Sequence, residues 1–218
     1  WLVLRGRCRG CRAPISARYP AVEALTAILF ALTFWLRSGM TWALPFDLLF
    51  VAAIISLVFI DAEHMILPNA ITYPGIALAL VARLVVPNLY GVGFLCPANS
   101  CENRWLVSLV GAVAGALFGG GFLWLTGWLW KRLRGVEAMG LGDVKMMFMV
   151  GAYLGLPLTA LTIFIGVLSG SVAGVLVMAR RGERDMQLLL PFGIFLGVGA
   201  LVSLLFGTRL VEWYIGQF

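Results

Sequence analysis

The sequence predicts an all-α fold, a polytopic transmembrane bundle of about seven helices with a small cytoplasmic N-terminal segment. Three observations carry that expectation. Hydrophobic residues make up 61% of the 218 positions and charged residues only 12%, far from the usage of soluble domains. The stretch from Trp105 to Trp130 contains no ionisable side chain, and a hydrocarbon core of ~30 Å needs about 20 such residues in a helix. Basic residues also gather in alternate loops. Of the 16 Lys and Arg, all but Arg37, Arg83, Arg104 and Arg209 fall before the first helix, after the fourth or after the sixth. The positive-inside rule then puts the N-terminal segment in the cytoplasm and the C-terminus outside. The net charge of +6 is read as an orientation signal toward a lipid bilayer, with no nucleic acid partner.

Uncharged runs and their breaks place helices at 21–37, 46–61, 71–90, 105–130, 143–156, 158–179 and 188–207. Gly155, Leu156 and Pro157 divide the long run after Asp143, because proline lacks an amide donor and clashes with the preceding turn. Gly111, Gly115 and Gly119 recur every four residues in the fourth helix, as do Gly166, Gly170 and Gly174 in the sixth. Such spacing lines glycines on one face, and both sets are expected to be packing seams. Trp124, Trp128 and Trp130 beside a basic loop fit an interfacial aromatic belt.

Acidic residues near spans demand a reason, since an ionised carboxylate in the bilayer costs ~2.5–3.5 kcal/mol. Asp61 ends the second predicted helix, and Asp143 begins the fifth after Gly140-Leu141-Gly142. Counting 1.5 Å per residue from Gly155 puts Asp143 ~18 Å inward, and from Asp47 puts Asp61 at ~21 Å, both short of a full crossing. Two acids at like depth can meet across helices and share one proton, the arrangement that lets aspartyl proteases activate water. The blander alternative makes each a helix-end residue at the water interface, with Asp143 as an N-cap.

Taken together, four ordered blocks resemble the type IV prepilin peptidase family. They are Arg7-Cys8-Arg9-Gly10-Cys11 followed by Ile15 to Glu23; Asp61 with Leu67-Pro68-Asn69; Gly140 to Lys145; and Pro191-Phe192-Gly193. The resemblance implies a membrane-embedded aspartyl endopeptidase, multi-pass in the bacterial inner membrane with its active site facing the cytoplasm. It implies cleavage of the basic leader of prepilins and pseudopilins, and N-methylation of the new N-terminus with S-adenosylmethionine. Asp61 and Asp143 take the catalytic positions, with no cofactor for proteolysis, and Glu23 falls in the block associated with methyl transfer. Residues 1–20 are then the remnant of a larger cytoplasmic loop, and 21–218 the protease domain.

Two departures stand out. Family members with a metal site carry two Cys-x-x-Cys pairs, whereas only Cys8 and Cys11 are present here, half of a tetrahedral zinc site. The second pair and a first helix are expected upstream. Ile194 also stands where many relatives have proline.

Cys96 and Cys101, in the outer loop, are expected to form a local disulfide. His64, three residues past Asp61, is either a base or an interfacial polar residue, and Lys145 either a headgroup anchor or a partner that keeps a carboxylate charged. Glu63, next to the loop, is expected to be solvated. Two rival functions keep the intramembrane acids. One is a proton-coupled transporter. The other is an enzyme like signal peptide peptidase or presenilin, against which the Ile60-Asp61 context and the cysteine block argue.

Overall fold

The protein's structure, a computed structural model, describes residue 4 and residues 6–37, 40–87, 89–90, 103–135, 139–181 and 191–217. Among the described residues seven helices follow in order: α1 (Arg18–Leu36), α2 (Leu44–His64), α3 (Asn69–Val85), α4 (Arg104–Arg134), α5 (Leu141–Leu154), α6 (Leu156–Arg181) and α7 (Phe192–Ile215). Five of them, α1, α2, α4, α6 and α7, are long and apolar enough to cross a membrane. The expected helical bundle is therefore found, with shifted boundaries. Cys96 and Cys101 lie outside the described residues.

The shifts have local causes. Helix α2 runs three residues past Asp61 before Met65 turns the chain in the left-handed region at φ 53°. Helix α4 continues through Lys131, Arg132 and Arg134, because cations are favoured in the last turn of a helix and Gly135 ends it at φ 72°. Helix α3 stops at Val85 rather than 90.

The short helix α5 is the centre of the molecule. Ten of its side chains, from Asp143 and Val144 to Tyr153 and Leu154, are buried. Its fourteen residues reach only ~21 Å, so neighbours rather than lipid surround it. Helix α4 packs on it most extensively and α3 flanks it, while α6 pairs with α7 and α2 lies on α7.

Within a bilayer, helices associate by close packing and not by escape from water. A Cβ added at Gly115 would strike the Gly151 carbonyl, and one at Gly119 would lie 2.7 Å from the Met147 carbonyl oxygen. Gly166 meets Leu196 at 3.0 Å, and Gly170 meets Phe195 at 3.5 Å. These glycines are packing seams, between α4 and α5 and between α6 and α7. The far end of the bundle from Asp61 holds a polar cluster that the sequence reading overlooked. Asp47, fully buried, accepts from Arg37 Nε at 2.6 Å, from the Tyr153 hydroxyl at 2.6 Å and from the Tyr90 hydroxyl at 3.4 Å. Arg83 is also fully buried and donates to the carbonyls of Ala152 and Tyr153, which satisfies the end of α5.

Candidate active site

Three chain segments converge at the end opposite that cluster. Asp61 sits one turn before the end of α2, and its carbonyl accepts the Met65 amide at 2.9 Å. After the left-handed turn at Met65, Ile66 and Leu67 lead to Pro68, which is extended and caps the start of α3. Asp143 is the third residue of α5, whose N-cap is Gly140 in extended conformation, so the expected N-cap role of Asp143 is not found. An N-cap must precede the first helical residue, and here two helical residues come before the aspartate.

Both aspartates are buried, Asp61 at 5% exposed and Asp143 at 8%, which sets aside the picture of two acids facing open water. Their meeting point is Gly193, the second residue of α7. A Cβ placed there would lie 2.6 Å from Asp61 Oδ2 and 3.2 Å from Asp143 Oδ1. The two oxygens can be no further apart than those distances combined, well within the ~12 Å beyond which a shared water becomes implausible. The amides of Ile194 and Gly193, in the first turn of α7, are turned toward Asp61. Asp61 Oδ2 is buried with no hydrogen-bond partner among the described residues.

The walls of the site are tied together by the blocks singled out in the sequence. Gly142 lets the α5 N-terminus close on the loop before α3, since a Cβ there would come 2.9 Å from Leu67 Cβ. Two positions beyond Asp143, Lys145 donates to Asn69 Oδ1 at 2.8 Å and lies 5.5 Å from the centre of the Tyr73 ring. The ammonium is held by Asn69 and makes no ion pair with either aspartate.

The other candidates lie apart from the dyad. His64 is exposed, with Nε2 4.0 Å from Glu63 Oε2. Glu63 is an ion-pair partner of Arg18 at 2.7 Å, and both side chains are largely exposed. Glu23 is exposed on α1 and has no hydrogen bond or ion pair among the described residues, so one carboxylate and no further donor marks that position.

Cys8 and Cys11 occupy a small hairpin closed by Cys8 N to Ala13 O at 2.9 Å and Arg12 N to Cys8 O at 3.0 Å. The backbone amides of Cys11 and Gly10 and the Cys11 side chain hold the Cys8 thiol below its ordinary value. That favours a thiolate, as a metal ligand requires. Two sulfurs do not complete a tetrahedral site, and the described residues contain no group of three or more His, Cys, Asp or Glu able to hold a metal ion. The residues described here do not fit zinc as they stand.

Residues 48–175, which carry Asp61 and Asp143, match the type IV leader peptidase family, and residues 1–37 match the bacterial peptidase A24 N-terminal domain. The chain belongs to the type IV leader peptidase family. Its relatives include prepilin leader peptidase/N-methyltransferases of Aeromonas hydrophila, 38% identical over all of this chain and 68% of the relative, and of Pseudomonas aeruginosa, 34% identical over 99% and 67%. That of Legionella pneumophila is 34% identical over 99% of this chain and 68% of its own length. No solved structure matches. As a leader peptidase the chain is an enzyme, and membership lends no support to the transporter alternative.

What sequence reasoning missed is the part played by Gly193. Pro191-Phe192-Gly193 was noticed only as a family block, although a glycine just inside a helix start is a signal for close approach.

Proposed function

We propose that this leader peptidase hydrolyses the peptide bond after the basic leader of type IV prepilins and pseudopilins, with Asp61 and Asp143 as its catalytic pair. The observation that supports this is the convergence of Asp61 Oδ2 and Asp143 Oδ1 beside a glycine that leaves the space between them open. The pair carries one proton. Its ionised member takes a proton from water as the water oxygen attacks the scissile carbonyl carbon, and the protonated member gives its proton to the carbonyl oxygen. Collapse of the tetrahedral intermediate breaks the C–N bond as the proton taken from water passes to the leaving amine and the other aspartate takes back a proton from one of the intermediate's hydroxyls. The products are a leader carboxylate and a new N-terminus, and the dyad regains its single proton.

Relatives' names and the distribution of basic residues support two finer readings: the dyad opens to the cytoplasm at the bacterial inner membrane, and the new N-terminus is methylated. S-adenosylmethionine is the methyl donor this implies, with Glu23 as the candidate residue toward it, in the segment that matches the N-terminal domain. The described surroundings of Glu23 supply no further polar contact, so no step of methyl transfer is assigned to a residue.

The test is cleavage of a purified prepilin in detergent. Asp61→Asn and Asp143→Asn should each abolish cleavage while leaving thermal unfolding near that of the wild type. Wild-type rates in either variant would falsify the dyad.

A further inference from the structure

At the membrane boundary opposite the dyad, a cavity of about 230 Å³ opens between the C-terminal ends of α1 and α7. Its lining on α7 begins at Leu204, eleven residues and ~16 Å along the helix from Gly193, so it is separate from the catalytic pair. Two guanidinium groups line it, Arg37 from the end of α1 and Arg209 from α7, together with Thr33, Thr208 and Tyr90. We propose that this cavity binds a phosphate group, supplied by the headgroup of an anionic phospholipid.

The charge balance is the first reason. Arg37 gives Nε to Asp47 and lies 4.4 Å from the centre of the Tyr90 ring, yet its Nη2 is buried without a hydrogen-bond partner among the described residues. Arg209 has no hydrogen bond or ion pair among the described residues. Asp47 pairs with Arg37 alone, Arg209 stands exposed at the rim, and the buried Nη2 left unpaired carries its full desolvation penalty. An oxyanion accepting from Arg37 Nη2 satisfies that donor and can take further hydrogen bonds from Arg209 and the Thr208 hydroxyl.

The second reason concerns the source. Helix α1 is the least buried of the five candidate spans, and it touches α7 only sparsely. On the same two helix ends, Trp35, Leu210 and Trp213 are exposed apolar residues, which sets the cavity among acyl chains and headgroups. A phospholipid can place its tails along these helices and its phosphate between the arginines, bridging α1 to the bundle.

The full chain in neutral detergent should show a thermal unfolding midpoint that rises as phosphatidylglycerol is titrated and stays unchanged with diacylglycerol, which lacks the phosphate. Arg209→Gln should weaken the apparent phosphatidylglycerol binding about tenfold, the scale of one charge-assisted hydrogen bond. Arg209→Lys should retain most of it, and Arg134→Gln, at the other end of the bundle, should match the wild type. Stabilisation by inorganic phosphate that equals that of the lipid and needs Arg209 identifies a free anion as the occupant, overturning the lipid source alone. Equal stabilisation by diacylglycerol and phosphatidylglycerol, or no response to Arg209→Gln, overturns the site.

Discussion

Gly193 abuts Asp61 so closely that a Cβ at position 193 would stand 2.6 Å from Asp61 Oδ2, nearer than non-bonded atoms approach. The start of α7 therefore forms the third wall of a site whose other two walls each carry a carboxylate.

Substituting Gly193→Ala should displace Asp61 rather than unfold the bundle, because the new methyl meets a side-chain tip and not backbone. Misplacement of a reacting group by ~1 Å costs on the order of 100-fold. Prepilin cleavage should fall by about that factor. Gly121→Ala, where an added Cβ meets nothing within 4 Å, should cleave like the wild type.

Lys145 and Asn69 join the block after Asp143 to the block after Asp61. Asn69→Ala and Lys145→Ala should each slow cleavage, and the double variant should be no worse than the slower single one, as expected of two residues acting through one bond. Additive losses would separate their roles.

Asp47 and Glu63 both pair with arginine, but only Asp47 is buried. Asp47→Ala leaves the partly buried Arg37 without its counter-ion and the Tyr153 hydroxyl without its acceptor, and should cost ~2–4 kcal/mol, toward the scale of a broken buried pair. Glu63→Ala should cost under ~1 kcal/mol, since water already screens that pair. Thermal unfolding in detergent compares them directly.

Because the Cys11 and Gly10 amides stabilise the Cys8 thiolate, alkylation of Cys8 should be half-maximal at a lower pH than for an unperturbed thiol. The sign follows from the thiolate being the reactive form: a lowered pKa fills it at lower pH. Gly10→Pro removes one of the amides and should move the midpoint upward, as read by mass spectrometry of the labelled peptide.

Much of this molecule is legible in its sequence, for reasons tied to solvent and spacing. Uncharged runs the length of a bilayer reveal helices, because lipid leaves the backbone no other way to satisfy its hydrogen bonds. Gly115 and Gly119 reveal a seam because residues four apart share a helix face. Asp61 and Asp143 stand out because an acid in such a run needs a reason. Asp47, which serves in the sequence reading only as the reference for counting depth, meets the same criterion and anchors the polar cluster at the other end.

The sequence by itself determined the helical, membrane-spanning class, the family and which two acids become candidates, since each rests on composition or order along one strand of chain. Only the tertiary structure decided that Gly193 completes the site, that Lys145 belongs to Asn69 and that Arg37 and Arg209 line one cavity. These are distances between residues far apart in the chain, and helix packing sets them through the shapes of many side chains at once, which no local spacing records.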